Sequence, residues 1–256
     1  MNHDANTARS WLAAEWPAPP GIHAGVTLRA GGVSSGRYAS FNLGDHVADA
    51  CRAVAANRAR LAAMLQLPTQ PLWLQQVHGS AVADADVAEP LPPPQADASV
   101  ATRRGRVCAV LTADCLPVLF CARDGSCWGA AHAGWRGLAG GVLEATVARL
   151  PAAPAELLAW LGPAIGPQQF EVGEDVLAAF ASQHAGDGSA FSPCAESGKY
   201  LADIYALARA RLRRCGVRAV YGGDYCTVTD TARFFSYRRD GETGRMASLV
   251  WYRATS

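Results

Sequence analysis

The sequence has no C-x-x-C pair, no apolar run approaching the roughly 18 residues of a membrane span, and no block of like charge. Each absence removes a class. The eight cysteines (51, 108, 115, 121, 127, 194, 215 and 226) are spread along 256 residues, which suits reduced thiols better than a secreted disulfide framework. The N-terminus, MNHDANTARSWLAAEW, is interrupted by Asp4, Arg9 and Glu15 before any stretch reaches signal-peptide length. A soluble cytoplasmic protein with no membrane partner is expected. Formal net charge is +1 and the arginines are scattered, so no nucleic-acid partner is indicated. The one local cluster, RLRRCGVR (Arg211 to Arg218), reads as the solvated end of a helix, where cations oppose the macrodipole.

What is present is enough apolar residue for a large core: 50% of the chain is hydrophobic. Periodicity predicts a strand in GIHAGVTLRAGG that turns at Gly31 and Gly32, strands at Leu72–His78, Ala98–Thr102, Val107–Thr112, Leu116–Ala122, Ser126–His132 and Glu156–Gly162, and others near Arg218–Tyr221, Arg233–Tyr237 and Met246–Tyr252. Helices are predicted over Asp49–Leu67, stopped by Pro68, from Gly134 through Leu150, over Glu174–Gln183 and over Leu201–Cys215. AEPLPPPQAD must be a loop, and GDGSAFSPCAESG reads as a flexible connection. Strands outnumber helices and many are joined by short turns, which argues for an α+β fold rather than a doubly wound parallel sheet. No change of composition marks a boundary, so residues 21–256 are expected to form a single catalytic domain after an N-terminal extension, 1–20.

Three side chains stand out. His78, Cys115 and His132 each end a short apolar run, in LWLQQVHGS, LTADCLPVLF and CWGAAHAGWRG. Two imidazoles and a thiol are the ligand types of an open zinc site, in which three protein ligands leave a position for water or substrate. The alternative is that the histidines cap strands and Cys115 is one more buried thiol. Asp114, beside the cysteine, either orients a histidine from behind or bonds its own turn. HAGWRGLAGG places a glycine-flanked helix start next to His132, where free N–H groups and Arg136 favour an anion, and Gly140 and Gly141 suggest close packing. Two loops carry further arginines: TLRAGGVSSGRYASFNLG, with Arg29, Arg37 and Asn42, and FFSYRRDGETGRMAS, with Arg238, Arg239 and Arg245. Such loops in a near-neutral protein suggest phosphate or carboxylate recognition, with aromatics available to stack on a flat base.

Taken in order, QVHG, LTADCLPVLF, HAGWRGLAGG, LGPAIGPQQFEVG and FFSYRRDGETGRMASLVW closely resemble the YfiH-like family, also called the laccase-domain or polyphenol oxidase family and a purine nucleoside phosphorylase family. The likeness runs from about Gly25 to Tyr252. It implies a layered α/β/β/α sandwich with mixed sheets and a His-Cys-His zinc site on His78, Cys115 and His132, copper being a possible occupant. It further implies that purine nucleosides and phosphate are the partners. Adenosine, inosine, guanosine and methylthioadenosine would be phosphorolysed, with adenosine deamination as a further activity. Arg29 and Asn42 fall where the family has loop residues, and Arg29 with Arg238 or Arg239 is expected to contact phosphate or ribose oxygens. A monomer or weak homodimer is expected.

The sequence separates some of these activities. A four-copper oxidase needs on the order of ten histidines, whereas this chain has six (3, 23, 46, 78, 132, 184) and no H-x-H pair. Phosphorolysis needs positioning and charge, which arginine loops and a metal can supply. Deamination would use a metal-activated water and a proton carrier, for which Asp114 and Glu171 are candidates. Two readings from other classes stay open: a metal-free cysteine hydrolase or deamidase using Cys115 and His132, and a peptidoglycan-editing factor.

Overall fold

The computed structural model describes residues 10–87 and 92–253. Pro90 of the expected proline loop and the first nine residues lie outside them. Strand alternation organises the rest. One sheet is antiparallel throughout and runs in the order β1-β2-β13-β5: β1 (Trp11–Ala13), β2 (Ile22–Thr27), β13 (Met246–Tyr252) and β5 (Val107–Thr112). A second, mixed sheet has six strands in the order β12-β8-β6-β7-β4-β3. In it β6 (Leu116–Ala122) lies antiparallel between β7 (Trp128–Ala133) and β8 (Leu157–Leu161). The edge strands β12 (Ala219–Gly222) and β3 (Val82–Asp84) run parallel to β8 and to β4 (Ala98–Ala101). A small third sheet joins β9 (Glu171–Gly173), β10 (Phe191–Pro193) and β11 (Lys199–Ala202).

Side-chain alternation decides the layering. In β6, Leu116, Val118 and Phe120 face a helical layer, whereas Leu119 and Cys121 face the first sheet. In β5, Cys108 and Val110 meet the second sheet, while Val107, Ala109 and Leu111 pack beneath helix α1 (Cys51–Leu65). The outer helices on the other side are α2 (Trp135–Ala139), α3 (Val142–Arg149), α4 (Glu174–Ala181) and α5 (Ile204–Arg214). The result is an α+β sandwich in α/β/β/α order. Each fully buried Leu or Phe in these layers contributes about 1.5–3 kcal/mol, which is why both faces of β5 and β6 are apolar. Helix α1 buries Val54, Asn57, Leu61 and Leu65 on one stripe and stops where left-handed Gln66 returns its N–H to Ala62 and Ala63.

Several expectations needed correction. Leu72–His78 is not a strand; only isolated bridges at Leu72 and Gln75 join it to neighbours. The helix after Gly134 breaks in two, because Gly141 takes φ +88, and since a Cβ there would meet only Glu144, at ordinary contact distance, conformation rather than close packing requires the glycine. The segment read as a flexible connection forms a 3-10 turn (Ala185–Ala190) and the β10–β11 hairpin, so Leu201 is a strand residue and the last long helix starts at Ile204. Arg233–Tyr237 is a turn leading into a one-turn helix, α6 (Tyr237–Asp240), capped by Ser236. RLRRCGVR is not simply solvated: Arg211 is buried on Glu144 and Gln183, and Arg214 forms a two-pronged pair with buried Asp187. Trp11–Ala13, inside the segment read as an extension, pair as the edge strand of the first sheet. No helix among the described residues is long and apolar enough to cross a membrane.

Candidate active site

Strand register brings the three donors together. β6 pairs with β7 so that Pro117 lies opposite His132, which sets Cys115, in the turn before β6, beside the end of β7. His78 sits in a turn with φ +61. Gly134 leaves the room this needs, since a Cβ there would lie 2.9 Å from Cys115 Sγ and 3.1 Å from His78 Cδ2. The candidate ligand atoms of His78, Cys115 and His132 all lie within 4.8 Å of one another, and Cys115 Sγ is 3.9 Å from His78 Nε2. Small side-chain rotations bring such donors onto one ion at bond lengths of about 2.0–2.3 Å. The group can therefore hold a metal.

Asp97, which the sequence reading did not single out, organises the set. Its buried carboxylate accepts the backbone N–H groups of Val77 (3.1 Å), His78 (2.9 Å) and Gly79 (2.7 Å), holding the left-handed turn that presents His78. The same carboxylate accepts His132 Nδ1–H at 2.8 Å, leaving Nε2 for the shared space. Asp114 does something else. It accepts Thr227 Oγ1–H at 2.5 Å and the Arg238 backbone N–H at 2.6 Å, so it anchors α6 rather than a histidine.

The electrostatics prepare a thiolate. Burial pushes the Cys115 thiol up, but the His132 charge and hydrogen bonds from His132 and His78 outweigh it and bring the value down to about 6. His132 moves the other way: burial lowers it, and the Cys115 charge with the Asp97 hydrogen bond overcomes this and raises it to about 9. A thiolate at neutral pH is the form that binds metal or attacks carbon.

The donors open into a cavity of about 440 Å³. Its wall carries His46, Arg136, Arg238 and Arg245 as cations or potential cations, and Trp135, Phe170 and Tyr237 as aromatics. Burial, then the nearby Arg245 charge, holds His46 below its ordinary value. Among the described residues, none of the three cavity arginines has a carboxylate within ion-pair distance. Of the expected substrate residues, Arg238 lines the cavity and three do not. Arg29 lies on the Phe235 ring and donates to the Thr231 carbonyl. Asn42 is fully buried and spends its amide on Gly44, Asp49 and Arg245. Arg239 spends its guanidinium on the carbonyls of Thr227, Val228 and Phe234 and on Asp240. Each of the three side chains is spent on groups of the protein itself, Asn42 and Arg239 on buried ones. Glu171, a candidate proton carrier, is exposed and off the cavity.

Comparisons with known proteins place the chain in one family, whose members carry names of two different activities. Residues 23–253 match the family described as multi-copper polyphenol oxidoreductase laccase. The chain is 56% identical to a purine nucleoside phosphorylase of Pseudomonas aeruginosa over 242 residues, covering 94% of this chain and 98% of that one. It is 52% identical to the purine nucleoside phosphorylase YfiH of Escherichia coli, with 94% and 98% covered. A crystal structure of a Neisseria meningitidis protein superposes with a TM-score of 0.91 at 52% identity, covering 96% of this chain and all of that one. YlmD from Geobacillus stearothermophilus superposes with a TM-score of 0.86 at 33% identity, with 96% and 97% covered.

Proposed function

The chain belongs to the family described as multi-copper polyphenol oxidoreductase laccase, and from the site and the names of its relatives we propose that it is a zinc-dependent purine nucleoside phosphorylase of the cytoplasm. Adenosine, inosine, guanosine and methylthioadenosine are its substrates, with adenosine deamination as a side activity. The observation that carries this reading is the His78–Cys115–His132 set opening into a cavity whose arginines lack carboxylate partners. The names of relatives more than 50% identical support the reaction type. Copper oxidase chemistry is disfavoured because, among the described residues, one three-donor group is found where a four-copper centre needs several.

In phosphorolysis a phosphate oxygen forms a bond to the ribose C1′ while the C1′–N9 bond breaks, and the purine leaves with that electron pair and takes up a proton. The unpaired guanidiniums hold the phosphate and offset its charge. Trp135, Phe170 and Tyr237 supply apolar and aromatic wall for the base and ribose. His78, Cys115 and His132 would hold zinc, which would supply a Lewis acid to the cavity they line. Asp97 fixes two of those three donors, so the set is preorganised before substrate enters.

Incubation of the zinc-loaded protein with inosine should release free purine and ribose 1-phosphate only when phosphate is present. Cys115→Ala should lose bound metal and at least about 100-fold in turnover. Inosine formed from adenosine without phosphate would show the deaminase route. Phenol oxidation that survives copper removal, with no purine released from any nucleoside, would overturn the reading. One observation favours a second reading: Cys115, His132 and Asp97 also form the nucleophile, base and orienting carboxylate of a cysteine hydrolase. Full hydrolytic activity in metal-free protein would decide for it.

A further inference from the structure

The three cavity arginines are not equivalent. Arg136 and Arg238 are exposed, and Arg238 has one Nη donating to the Glu171 carbonyl at 3.0 Å. Arg245 is half-buried, and only its Nη1 is spent, on the carbonyls of Thr243 (2.8 Å) and Gly244 (3.1 Å). Its Nε and Nη2 edge has no hydrogen-bond partner among the described residues, and that edge is the fork which grips an oxyanion with two parallel bonds. Arg245 lines the cavity together with His78, Cys115 and His132; burial depresses it from its ordinary value, and the opposing charges are led by Cys115 and Asp114.

The segment around it is built to hold that position. The Asn42 carboxamide oxygen accepts two N–H groups, from Gly44 (3.0 Å) and from Arg245 (2.8 Å), while its nitrogen donates to the Gly44 carbonyl and to Asp49. One buried side chain thus ties the loop that carries His46 to the entry of β13. Gly44 leaves space for the arginine stem: a Cβ there would lie 2.8 Å from Arg245 Cγ and 3.3 Å from His46 Cε1.

We propose that Arg245, with His46 beside it, forms an inner oxyanion site that takes inorganic phosphate next to the metal ligands, and that Asn42 and Gly44 are its positioning residues. Arg136 and Arg238 then act at the rim of the same cavity. The identity of the anion rests on the phosphorylase reading, but the site itself does not, because phosphate binding is measurable without nucleoside.

The test is calorimetric titration of inorganic phosphate into the metal-loaded full chain at constant ionic strength, with acetate as the planar control. Arg245→Lys should weaken phosphate about tenfold or more, because a point charge does not replace the fork. Gly44→Ala, which displaces the arginine while leaving every charge in place, should weaken it severalfold. Asn42→Ala should do the same if it folds, and the glycine variant carries the test if it does not. Metal content and inosine affinity should change less than about twofold in Arg245→Lys and Gly44→Ala, a split that a general loss of structure would not produce. The proposal is overturned if wild type binds no phosphate, if acetate binds more tightly than phosphate, or if metal content and inosine affinity fall in parallel with phosphate. It is equally overturned if Arg136→Lys or Arg238→Lys carries the loss instead. Phosphate binding of the expected pattern without any purine release would leave this site standing and remove the phosphorylase reading.

Discussion

Asp97 and Asp187 are both buried carboxylates, 0% and 3% exposed, yet their surroundings differ in kind. Asp187 closes a charge network among helices: Arg214 reaches it with two bonds of 2.8 and 2.9 Å, and Arg211 lies 3.8 Å away while pairing with Glu144. There every guanidinium has a carboxylate. Asp97 sits where strands end, bonds three backbone amides and one imidazole, and forms no ion pair with the cavity arginines. The contrast shows how the chain divides its charge. In the helical cluster acids neutralise the arginines; at the cavity wall no carboxylate among the described residues lies within ion-pair distance of a guanidinium, and an incoming anion can take that place.

The largest expected effect comes from breaking the compensated cluster. Asp187→Ala strands two arginines and should cost about 3 kcal/mol in urea unfolding, at the lower end for a buried pair because Arg214 is a third exposed and partly screened. Metal content and the KM for phosphate should not change. Breaking the other carboxylate should do the reverse. Asp97→Asn should lower zinc affinity about 10–100-fold in a chelator competition, since an amide neither holds His132 by charge nor accepts three N–H groups equally well. Unaltered zinc affinity would mean that Asp97 serves the fold alone.

One substitution made twice sharpens the comparison. Arg245→Gln orphans no acid and should shift unfolding free energy by less than about 1 kcal/mol while phosphorolysis falls. Arg211→Gln leaves Glu144 and Asp187 under-neutralised and should destabilise by more, with turnover intact once folded.

The smallest effect is one of pH. The Cys115 thiol is lowered in the folded chain, so the thiolate's contribution is present above the ordinary thiol value and is lost as pH falls through about 6. His132 is raised, so the imidazolium's contribution is present below the ordinary histidine value and is lost as pH rises through about 9. Metal-free protein therefore holds the ion pair between those limits. Alkylation of Cys115 by iodoacetamide should reach half its maximal rate near pH 6. A midpoint near 9 would show that the thiolate is not preformed.

The chain by itself determined the parts that depend on residue type and local period. Short apolar runs in LTADCLPVLF and CWGAAHAGWRG placed β6 and β7, alanine, arginine and leucine content placed α1, and two imidazoles with a thiol at the ends of apolar runs marked the donors. Only the tertiary structure decided which polar side chains face the cavity. Asp97 is invisible in ADASV because its partners come from Val77–Gly79 and from His132, which are brought near by strand pairing and by no local spacing. Arg238 and Arg239 are neighbours in one short helix, yet one lines the cavity and the other is consumed by buried carbonyls. Asn42, in a loop that resembles a ligand loop, became a brace for Arg245 for the same reason: a buried amide must satisfy the backbone groups that folding brings to it. Composition sets what a side chain can bond, and long-range register sets what it meets.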